Sequence, residues 1–395
     1  MTTGIARLLA DAGALPPGWQ SAFDTVRRAD FLPARFWAWC NESGYTPLID
    51  RNATGEWGRQ AWDRAADEDL VLVTQWDDGD HTGDVRGDNP TSSASAPAAV
   101  ARMLDALDIH GGEAVLEVGT GTGYTAALLA ARGCRVTTIE VDAELAERAR
   151  KNLARAGYRG VVVLTGDGAL GHPGGGPYDR IHVTAGVRHT PGAWLEQTRP
   201  GGLIVMPWGT YYAGPDWTTV LTVHGAHYAS GPFTDPLAFM KLRAQRARWP
   251  RTSFPPGWMD TARVSEPDID IADITGGLYD PVEFVIGLHV PQCVPQRVDH
   301  PESVNLWLYG ADTGDGESIA VAAFGDGYNP QALQAGPRDL WGEVQTAYHR
   351  WADAGKPAAD RFGLTVVVDA DGTVEQRPWY EAPDRELPPR LRNTR

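Results

Sequence analysis

The sequence predicts an α/β protein built on a parallel sheet with a nucleotide-cofactor turn, followed by a smaller α+β domain. The main observation is the stretch 114–142, in which an apolar strand, a glycine turn, a helix and a second strand follow one another. Gly119, Gly121 and Gly123 supply the turn, where the backbone must bend sharply and let a ligand approach. Glu140 ends the second strand, where a carboxylate can accept both hydroxyls of a ribose.

Length and composition predict a globular protein with two domains. The 395 residues are 42% hydrophobic, which supplies apolar side chains for two cores. The N-terminal stretch carries Arg7 and Asp11 among its apolar residues, so it reads neither as a signal peptide nor as a membrane span, and we expect a cytoplasmic location. Cys40, Cys134 and Cys293 lie far apart without C-x-x-C spacing, which fits a reducing compartment.

The charge balance argues against a nucleic-acid partner. The formal net charge is −16, whereas nucleic-acid binding normally rests on a basic surface that displaces counterions from phosphates. We also expect no membrane partner and a monomer. His224 and His227 are too isolated to indicate a metal site, and no metal is predicted.

Periodicity and turn residues predict the remaining elements of the first part. Residues 4–30 read as two short helices, 33–69 as irregular lid or packing structure, and 76–90 as an acidic, glycine-rich loop. The helical spacing of Val100, Met103, Leu104 and Leu107 predicts an amphipathic helix after a serine-rich stretch. The other predicted elements are strands at 69–76, 161–166, 178–186, 201–208, 217–225 and 227–243 and a helix at 143–156.

The fourth strand of the parallel sheet, 178–186, ends in small residues. Thr184, Ala185 and Gly186 are expected to leave backbone N–H groups free to hold an anion such as a carboxylate. Arg188, just past this strand, is a further candidate for pairing with a substrate carboxylate. The strand lacks the Asn/Asp-Pro-Pro-aromatic tetrad of amino methyltransferases and the cysteine nucleophile of pyrimidine C5 enzymes.

The order of motifs resembles the protein L-isoaspartyl O-methyltransferase family over about residues 4–245. The motifs are a V-T-Q strand, an S-x-S-x-P stretch, VLEVGTGTGYTAALLA, VTTIEVDAELAERAR, TGDG, PYDRIHVTAG and PGAWLEQTRPGGLIV. The resemblance implies a class I S-adenosylmethionine-dependent, Rossmann-like methyltransferase domain. It also implies that S-adenosylmethionine is the cofactor.

The resemblance assigns roles to individual residues. Gly119, Thr120, Gly121 and Gly123 would form the donor loop, with Glu117 near the positively charged amino or sulfonium end of the donor. Glu140 would bind the ribose, and Asp167 with Gly168 would face the adenine amino group. Ser95 would be the catalytic serine between the donor and the substrate carboxylate, and Ser93 stands where the family commonly has a threonine. Ala96 replaces the glutamine that bacterial repair enzymes usually have before the proline.

The last part of the chain predicts a separate domain. Polar, proline-rich residues 246–268 read as a linker between a methyltransferase domain at 1–245 and an α+β domain at 269–395. Its expected elements are strands at 281–290, 304–310 and 318–325, a helix at 337–355 and a hairpin at 363–379. Because residues 1–245 contain every part needed for methyl transfer, we expect them to fold alone and the last domain to recognise a peptide.

A family member with such an extension resembles the methyltransferases of ribosomal peptide pathways, notably those of ATP-grasp-crosslinked peptides, the graspetides. That resemblance implies methylation of one aspartate of a precursor peptide, whose ester then cyclises to an aspartimide. Three alternatives stay open: repair of isoaspartyl proteins by the same chemistry, an NAD-dependent oxidoreductase, and a cofactor-binding scaffold without catalysis. The G-x-G-x-G spacing disfavours the oxidoreductase, whose fingerprint is G-x-G-x-x-G.

Overall fold

The computed structural model describes residues 4–40, 44–53, 56–81, 83–246, 257–277, 279–310, 318–325, 329–388 and 391–393. The helices are α1 Gly4–Asp11, α2 Gln20–Thr25, α3 Glu56–Asp67, α4 Pro97–Ala106, α5 Tyr124–Ala131, α6 Ala143–Arg155, α7 Gly192–Glu196, α8 Ile271–Ile274, α9 Pro281–His289 and α10 Leu340–Asp353. None of the helices in these ranges combines the length and apolar character needed to cross a bilayer.

The strands of the first half are β1 Arg35–Cys40, β2 Gly44–Tyr45, β3 Ile49–Asp50, β4 Val71–Trp76, β5 Pro90–Ala94, β6 Ala114–Val118, β7 Arg135–Glu140, β8 Val162–Thr165, β9 Tyr178–Val183 and β10 Thr198–Trp208. Those of the second half are β11 Asp216–Gly225, β12 Tyr228–Leu237, β13 Arg263–Ser265, β14 Cys293–Asp299, β15 Ser303–Gly310, β16 Ile319–Gly325, β17 Gln331–Ala335, β18 Phe362–Val368, β19 Val374–Tyr380 and β20 Leu391–Asn393.

By its internal contacts the chain divides into two compact units that interleave along the sequence. The first contains 1–185, 191–206 and 220–229, and the second contains 186–190, 207–219 and 230–395. The predicted domain boundary at residue 245 stays a prediction, and the compact units divide the chain differently. Residues 247–256 of the predicted linker, 246–268, lie outside the described residues.

The parallel sheet of the first unit positions the candidate site. Its strands run in the order β10-β9-β6-β7-β8, and each neighbouring pair is parallel. Their carboxyl ends therefore meet at one edge, where ligands bind in open α/β sheets. Helix α6 begins at Asp142, whose side chain accepts bonds from the backbone N–H groups of Glu144 and Leu145. The predictions for these strands and helices are confirmed.

The segment predicted to be irregular, 33–69, instead forms strands and a helix. Strand β1 pairs antiparallel with β4, which pairs with β5, so Trp37 lies opposite Val73 and Val73 opposite Ser93. Phe36 and Ala38 alternate into a core with Trp62 of α3, and all three are fully buried. Strands β2 and β3 are two residues long, too short to show a period in the sequence, whereas β1 and α3 were missed although they have six and twelve residues.

The second unit contains an antiparallel sheet in the order β13-β17-β16-β15-β14. A hairpin of β18 and β19 closes at the predicted Asp-Gly turn, with β20 pairing antiparallel to β19. Helix α10 packs with α9 and against β16. The strands at 304–310 and 318–325, the helix and the hairpin are confirmed, and the domain is α+β as predicted.

The prediction of a strand at 281–290 is wrong, because these residues form helix α9. The Asp280 side chain caps it by accepting a bond from the Val282 N–H, and Pro281 occupies the first turn, where its missing N–H costs nothing. Residues Phe284 to Leu288 are all buried, so the helix has no polar stripe. A short apolar run of this kind does not distinguish strand from helix by its period, although the Asp-Pro start is a helix signal.

Candidate functional site

The turn between β6 and α5 is built on glycines with left-handed backbone angles. The φ angles of Gly119, Gly121 and Gly123 are +98°, +53° and +87°, a region that L side chains rarely adopt. At Gly119 a Cβ would also lie 2.7 Å from Oγ1 of Thr184, which is too close. The Gly119 N–H donates to the Ile139 carbonyl at 2.9 Å, which fixes the turn to β7.

Glu140 lies at the carboxyl end of β7 and points at this turn. Its Oε2 accepts a bond from the Gly121 N–H at 2.9 Å, and its Oε1 accepts one from the Asp142 N–H at 3.1 Å. Each carboxylate oxygen has two acceptor sites, so both can still accept ligand hydroxyls. Its position and its acceptors fit the two hydroxyls of a ribose.

Asp167 and Gly168 follow β8, the neighbour of β7. The exposed Asp167 accepts a bond from the Ala169 N–H at 2.9 Å, which leaves its other oxygen without a bond in the described part of the chain. Gly168 is buried, and a Cβ there would overlap Cγ1 of Val118, the last residue of β6. The glycine is therefore required for the chain to pass close to the donor turn.

Two exposed apolar residues at the same edge were missed from the sequence. Val141, directly after Glu140, is 45% exposed, and Leu170, three residues after Asp167, is 66% exposed. Large apolar side chains at such exposure are suited to cover a flat apolar ligand surface such as a purine. A sequence pattern could have indicated them: in both cases an apolar residue follows shortly after an acid at the end of a parallel strand.

Glu117 lies under the turn rather than on its surface. It is completely buried, and Thr138 donates a 2.6 Å hydrogen bond to its Oε2. Thr138 in turn contacts Thr120 of the turn at 2.7 Å between the hydroxyl oxygens. This geometry does not support the expected contact of Glu117 with the amino or sulfonium end of the donor, because the side chain has no accessible surface.

Burial also sets the charge of this buried pair. It raises the pKa of Glu117 to about 8, with the nearby Glu140 adding to the rise, so the group is protonated at neutral pH. His182 faces it on β9, with Nδ1 4.0 Å from Oε1, and burial lowers the pKa of His182 to about 3. A neutral histidine inside the sheet is a packed residue and not a base.

The serine-rich stretch of β5 contacts the donor turn. A Cβ at Gly121 would lie 3.6 Å from the Ser93 carbonyl oxygen and 3.9 Å from the Ser92 hydroxyl. Ser93 and Ser95 are half-buried, and neither hydroxyl forms a hydrogen bond within the described residues. The structure thus brings together the glycine turn, Ser93 and, through Gly119, Thr184.

Arg28 holds the Ser95 stretch in place, a role that was not predicted from the sequence. The side chain is fully buried, and burial lowers its pKa to about 10. Its Nη2 donates to the carbonyls of Leu70, Ala94 and Ser95 at 2.7, 3.1 and 3.0 Å. Its Nη1 also donates to Glu68 O at 3.1 Å. Because the bonds go to main-chain atoms, no side-chain pattern in the sequence indicates them.

The backbone N–H groups predicted to hold the substrate carboxylate are in large part already used. Thr184 N–H donates to Val118 O at 2.9 Å, and Gly186 N–H donates to Met240 O at 2.8 Å. That part of the prediction is wrong, because both groups bind neighbouring backbone, which buried N–H groups normally do. Of the three residues, Ala185 alone keeps an N–H without a hydrogen bond among the described residues.

Arg188 belongs to the second compact unit. Its Nη1 donates to Gln245 O at 2.8 Å, and the guanidinium lies 4.6 Å from the centre of the Tyr211 ring. Burial lowers its pKa. Its contacts with Gln245 and Tyr211 lie within that unit.

Comparison with known proteins finds a family model that matches part of this chain. Residues 81–215 match the family model described as Protein-L-isoaspartate(D-aspartate) O-methyltransferase. Proteins named Protein-L-isoaspartate O-methyltransferase are 49% identical over 116 residues in Ignicoccus hospitalis and 52% over 120 residues in Aeropyrum pernix. These matches cover 29% of this chain and 55% and 46% of the relatives, so the chain spans about half their length.

A solved structure described as protein-L-isoaspartate O-methyltransferase has the same fold over most of the chain. It covers 93% of this chain and 96% of its own, with a TM-score of 0.52 and 19% identity. Together with the glycine turn, Glu140 and the acid after β8, these matches decide the fold of the donor-binding part. Residues 81–215 therefore carry a class I S-adenosylmethionine-dependent methyltransferase fold of the protein-L-isoaspartate(D-aspartate) O-methyltransferase type, and S-adenosylmethionine is the donor that its site fits.

Proposed function

We propose that the chain is an S-adenosylmethionine-dependent carboxyl O-methyltransferase that acts on an aspartate-derived carboxylate of a protein or peptide. The observation that carries this proposal is the contact of the serine-rich β5 with the donor turn at Gly121. Ser93 lies next to this turn, and Ser95, whose hydroxyl forms no hydrogen bond among the described residues, follows it two residues later. An isoaspartyl residue is the first candidate substrate, because the matched relatives bear that name.

The reaction requires alignment more than proton transfer. A carboxylate is ionised at neutral pH and can attack an electrophilic carbon without a general base. The donor supplies a methyl group made electrophilic by its sulfonium. The chain then has to hold the attacking oxygen and the methyl carbon in line, at roughly 3 Å, in a site from which water is excluded.

The residues of the site have separate tasks in this proposal. Ser95 donates a hydrogen bond to one oxygen of the substrate carboxylate and leaves the other to attack. Glu140 binds the ribose of the donor, and Asp167 faces the adenine amino group. Glu117 and His182 remain neutral under the turn, so they place no buried charge near the donor's positive end.

The test uses methyl-labelled donor and three synthetic peptides that differ at one position, which is isoaspartate, aspartate or asparagine. We expect a base-labile methyl ester on the isoaspartyl peptide and none on the asparagine peptide. Absence of label from both carboxyl peptides and from whole-protein substrates would contradict the proposal. Titration with a nicotinamide dinucleotide, for which we expect no binding, tests the oxidoreductase alternative.

A second candidate substrate is an aspartate of a ribosomally made, crosslinked precursor peptide, whose ester would close to an aspartimide. Ala96 supports it. The residue precedes α4 and forms no side-chain cap. Bacterial repair enzymes usually have the larger side chain of glutamine at this position. The C-terminal extension no longer supports it, because the solved protein-L-isoaspartate O-methyltransferase has the same fold over most of this chain.

The two candidates differ in what they consume and in what they leave. An ester of a crosslinked peptide's aspartate can lose methanol as the next backbone nitrogen attacks, giving a five-membered imide. Comparing turnover on an isoaspartyl peptide with turnover on a crosslinked precursor, with mass spectrometry of the product, separates them. A higher kcat/KM on the isoaspartyl peptide rejects the precursor. A cytoplasmic location and a monomeric state stay predictions.

A further inference from the structure

The second unit contains a cavity of about 440 Å³ that no role described above uses. Its walls come from the turn at 211–214, from α8 and α9, from strands β14 and β15, and from Arg188. All of these residues belong to the second compact unit. The volume lies in the range of small-ligand and side-chain binding pockets.

Two arginines, Arg188 and Arg297, line the cavity. Arg188 forms no salt bridge with a carboxylate among the described residues, and its buried Nε has no hydrogen-bond partner there. A partly buried guanidinium without a carboxylate partner favours an anionic ligand beside it.

Neighbouring groups hold Arg188 but do not neutralise it within the cavity. The guanidinium stacks on Tyr211, and its Nη1 is fixed by the Gln245 carbonyl. Asp216 is the nearby carboxylate, and its Oδ1 already pairs with Lys241. Arg188 and Lys241 therefore share the buried carboxylate of Asp216, which leaves a positive excess around Arg188.

Arg297 stands at a more open part of the wall. Its guanidinium pairs with Asp299 at 2.8 Å and donates to Oγ1 of Thr275 at 3.3 Å, and its side chain is 45% exposed. These bonds fix its direction and still leave donor capacity, since a guanidinium has five N–H groups. It can thus add a second contact to an anion held by Arg188.

The remaining walls limit what can enter. Ile274, Val294, Pro295 and Leu306 are apolar, so they suit a short aliphatic stem. Glu283 is the carboxylate that lines the cavity, and burial and the nearby Asp280 raise its pKa. The ionised form of Glu283 is disfavoured in the cavity, so Glu283 repels an entering anion less than an exposed carboxylate would.

We propose that this cavity docks an acidic residue of the substrate peptide, with the carboxylate on Arg188 and Arg297 and the stem on the apolar wall. The inference rests on the proposed function, because it assigns the peptide substrate a second contact remote in sequence from Ser95. The protein has a formal net charge of −16, which would repel an acidic peptide. The two arginines of the cavity would provide a local site at which such a peptide can bind. The same chemistry would accept a free dicarboxylate, which the experiment separates from a peptide.

The experiment measures peptide binding by the full-length protein without methyl donor. The probes are a fluorescein-labelled, amidated Gly-Ser peptide with one Asp-Glu pair and its Asn-Gln counterpart, followed by anisotropy. Glutarate is the competitor that represents a free dicarboxylate. We expect the acidic peptide to bind at least tenfold tighter than its neutral counterpart, as a charge-assisted contact predicts.

The variants are Arg188→Gln, Arg297→Gln and, as matched control, Arg350→Gln, an exposed arginine of α10 outside the cavity. We expect each of the first two to lose about tenfold in affinity for the acidic peptide. The control and the affinity for the neutral peptide should not change. Arg188→Lys should restore part of the affinity, which a purely structural role would not predict. If Arg188→Gln fails to fold, Arg297→Gln alone decides.

Equal binding of the two peptides, or equal losses with the control variant, would overturn the proposal. Saturable displacement of the labelled peptide by glutarate, at glutarate concentrations below the peptide concentration, would assign the cavity to a free dicarboxylate. That result would also overturn the proposal. Methyl transfer from labelled donor is measured separately on the isoaspartyl peptide. Transfer without charge-dependent peptide binding rejects the cavity alone, and binding without transfer to any carboxylate rejects the proposed function alone.

Discussion

Glu140 and Glu117 lie on neighbouring strands, but their surroundings give them different chemistry. Glu140 ends β7 and accepts backbone N–H groups of the turn and of the chain that follows. Glu117 is in the middle of the sheet, without solvent contact, and is protonated at neutral pH. At the scale of single residues, position along the strand decides which acid is available to a ligand.

Replacing Glu140 tests the ribose contact. We expect Glu140→Ala to weaken S-adenosylmethionine binding by roughly 1.5–3 kcal/mol, because a carboxylate that accepts ligand hydroxyls is lost. Isothermal calorimetry measures the affinity. Glu147→Ala, on the exposed face of α6, is the matched control and should leave the affinity unchanged. Equal affinity of the Glu140 variant and the wild type would exclude the ribose role.

Replacing Ser95 tests the contact with the substrate carboxylate. Ser95→Ala should lower kcat on the isoaspartyl peptide by roughly 10–100-fold, the value of one hydrogen bond to a charged group. Donor affinity should stay within a few-fold, because the hydroxyl serves the substrate. Single-turnover methylation and donor calorimetry measure the two effects. Full activity would move the role to Ser93, for which Ser93→Ala is the comparison.

Replacing Glu117 tests its protonation. Its pKa rises on folding from 4.5 to about 8, so the folded state binds the extra proton between these values and the free energy of unfolding falls as the pH rises through this window. His182, whose pKa is lowered, acts in the opposite direction below its ordinary value of 6.5. We expect Glu117→Gln to remove most of the loss between pH 6.5 and 8, measured by urea unfolding. An unchanged pH dependence would contradict a neutral Glu117.

At the scale of elements, the ends of parallel strands gather the donor residues of the proposal. Val118 ends β6, Glu140 ends β7, and Asp167 follows β8, so three carboxyl ends meet at one edge. The approach of the segment after β8 to β6 depends on Gly168, because a side chain there would overlap Val118. The edge is thus assembled by backbone approach as well as by side chains.

Gly168→Ala tests this approach. The added Cβ must displace Val118 or the segment after β8, and overpacking of a buried contact typically costs about 1–3 kcal/mol. We expect lower stability in urea unfolding and weaker donor binding. Gly166→Ala is a close control, since a Cβ there would meet no heavy atom within 4 Å and its φ is not left-handed. Equal stability of the two variants would contradict the steric argument.

At the scale of the whole molecule, segments before residue 245 depend on strands near the C-terminus. Thr190 and Trp208 donate hydrogen bonds to the buried side chain of Gln376, at 2.8 and 3.1 Å, and Gln376 donates to the Arg188 carbonyl. Ser230 likewise contacts Thr365 at 2.8 Å. All of these residues lie in the second compact unit. The expectation that residues 1–245 fold alone does not fit these bonds.

Truncation after Arg246 is therefore expected to disrupt folding. It removes Gln376, which accepts hydrogen bonds from Thr190 and Trp208, and the loss of an acceptor for a buried donor typically costs about 1–3 kcal/mol. We expect an aggregated or partly unfolded fragment by circular dichroism and size-exclusion chromatography. The full-length Gln376→Ala variant should show part of the loss. A monomeric fragment with a cooperative unfolding transition and wild-type donor affinity would contradict this expectation.

Local patterns determined the donor-binding half. The sequence shows a glycine turn after an apolar strand, an acid at the end of the next strand and an Asp-Gly pair after the third. Each of these signals lies within one short segment, so it can be recognised without knowing the tertiary contacts. The fold class, strands β6 to β9, helix α10 and the β18–β19 hairpin follow from such patterns. The comparison with known proteins agrees with the family resemblance that these motifs carry.

Only the tertiary structure decided which polar groups meet. Arg28 binds carbonyls far along the chain, and Gly186 N–H is already bonded to Met240. The burial of Glu117 and the helical state of 281–289 likewise depend on neighbours from other segments. A sequence specifies local conformation through periodicity and turn chemistry, but hydrogen-bond partners and the charge of a buried acid depend on packing between distant segments.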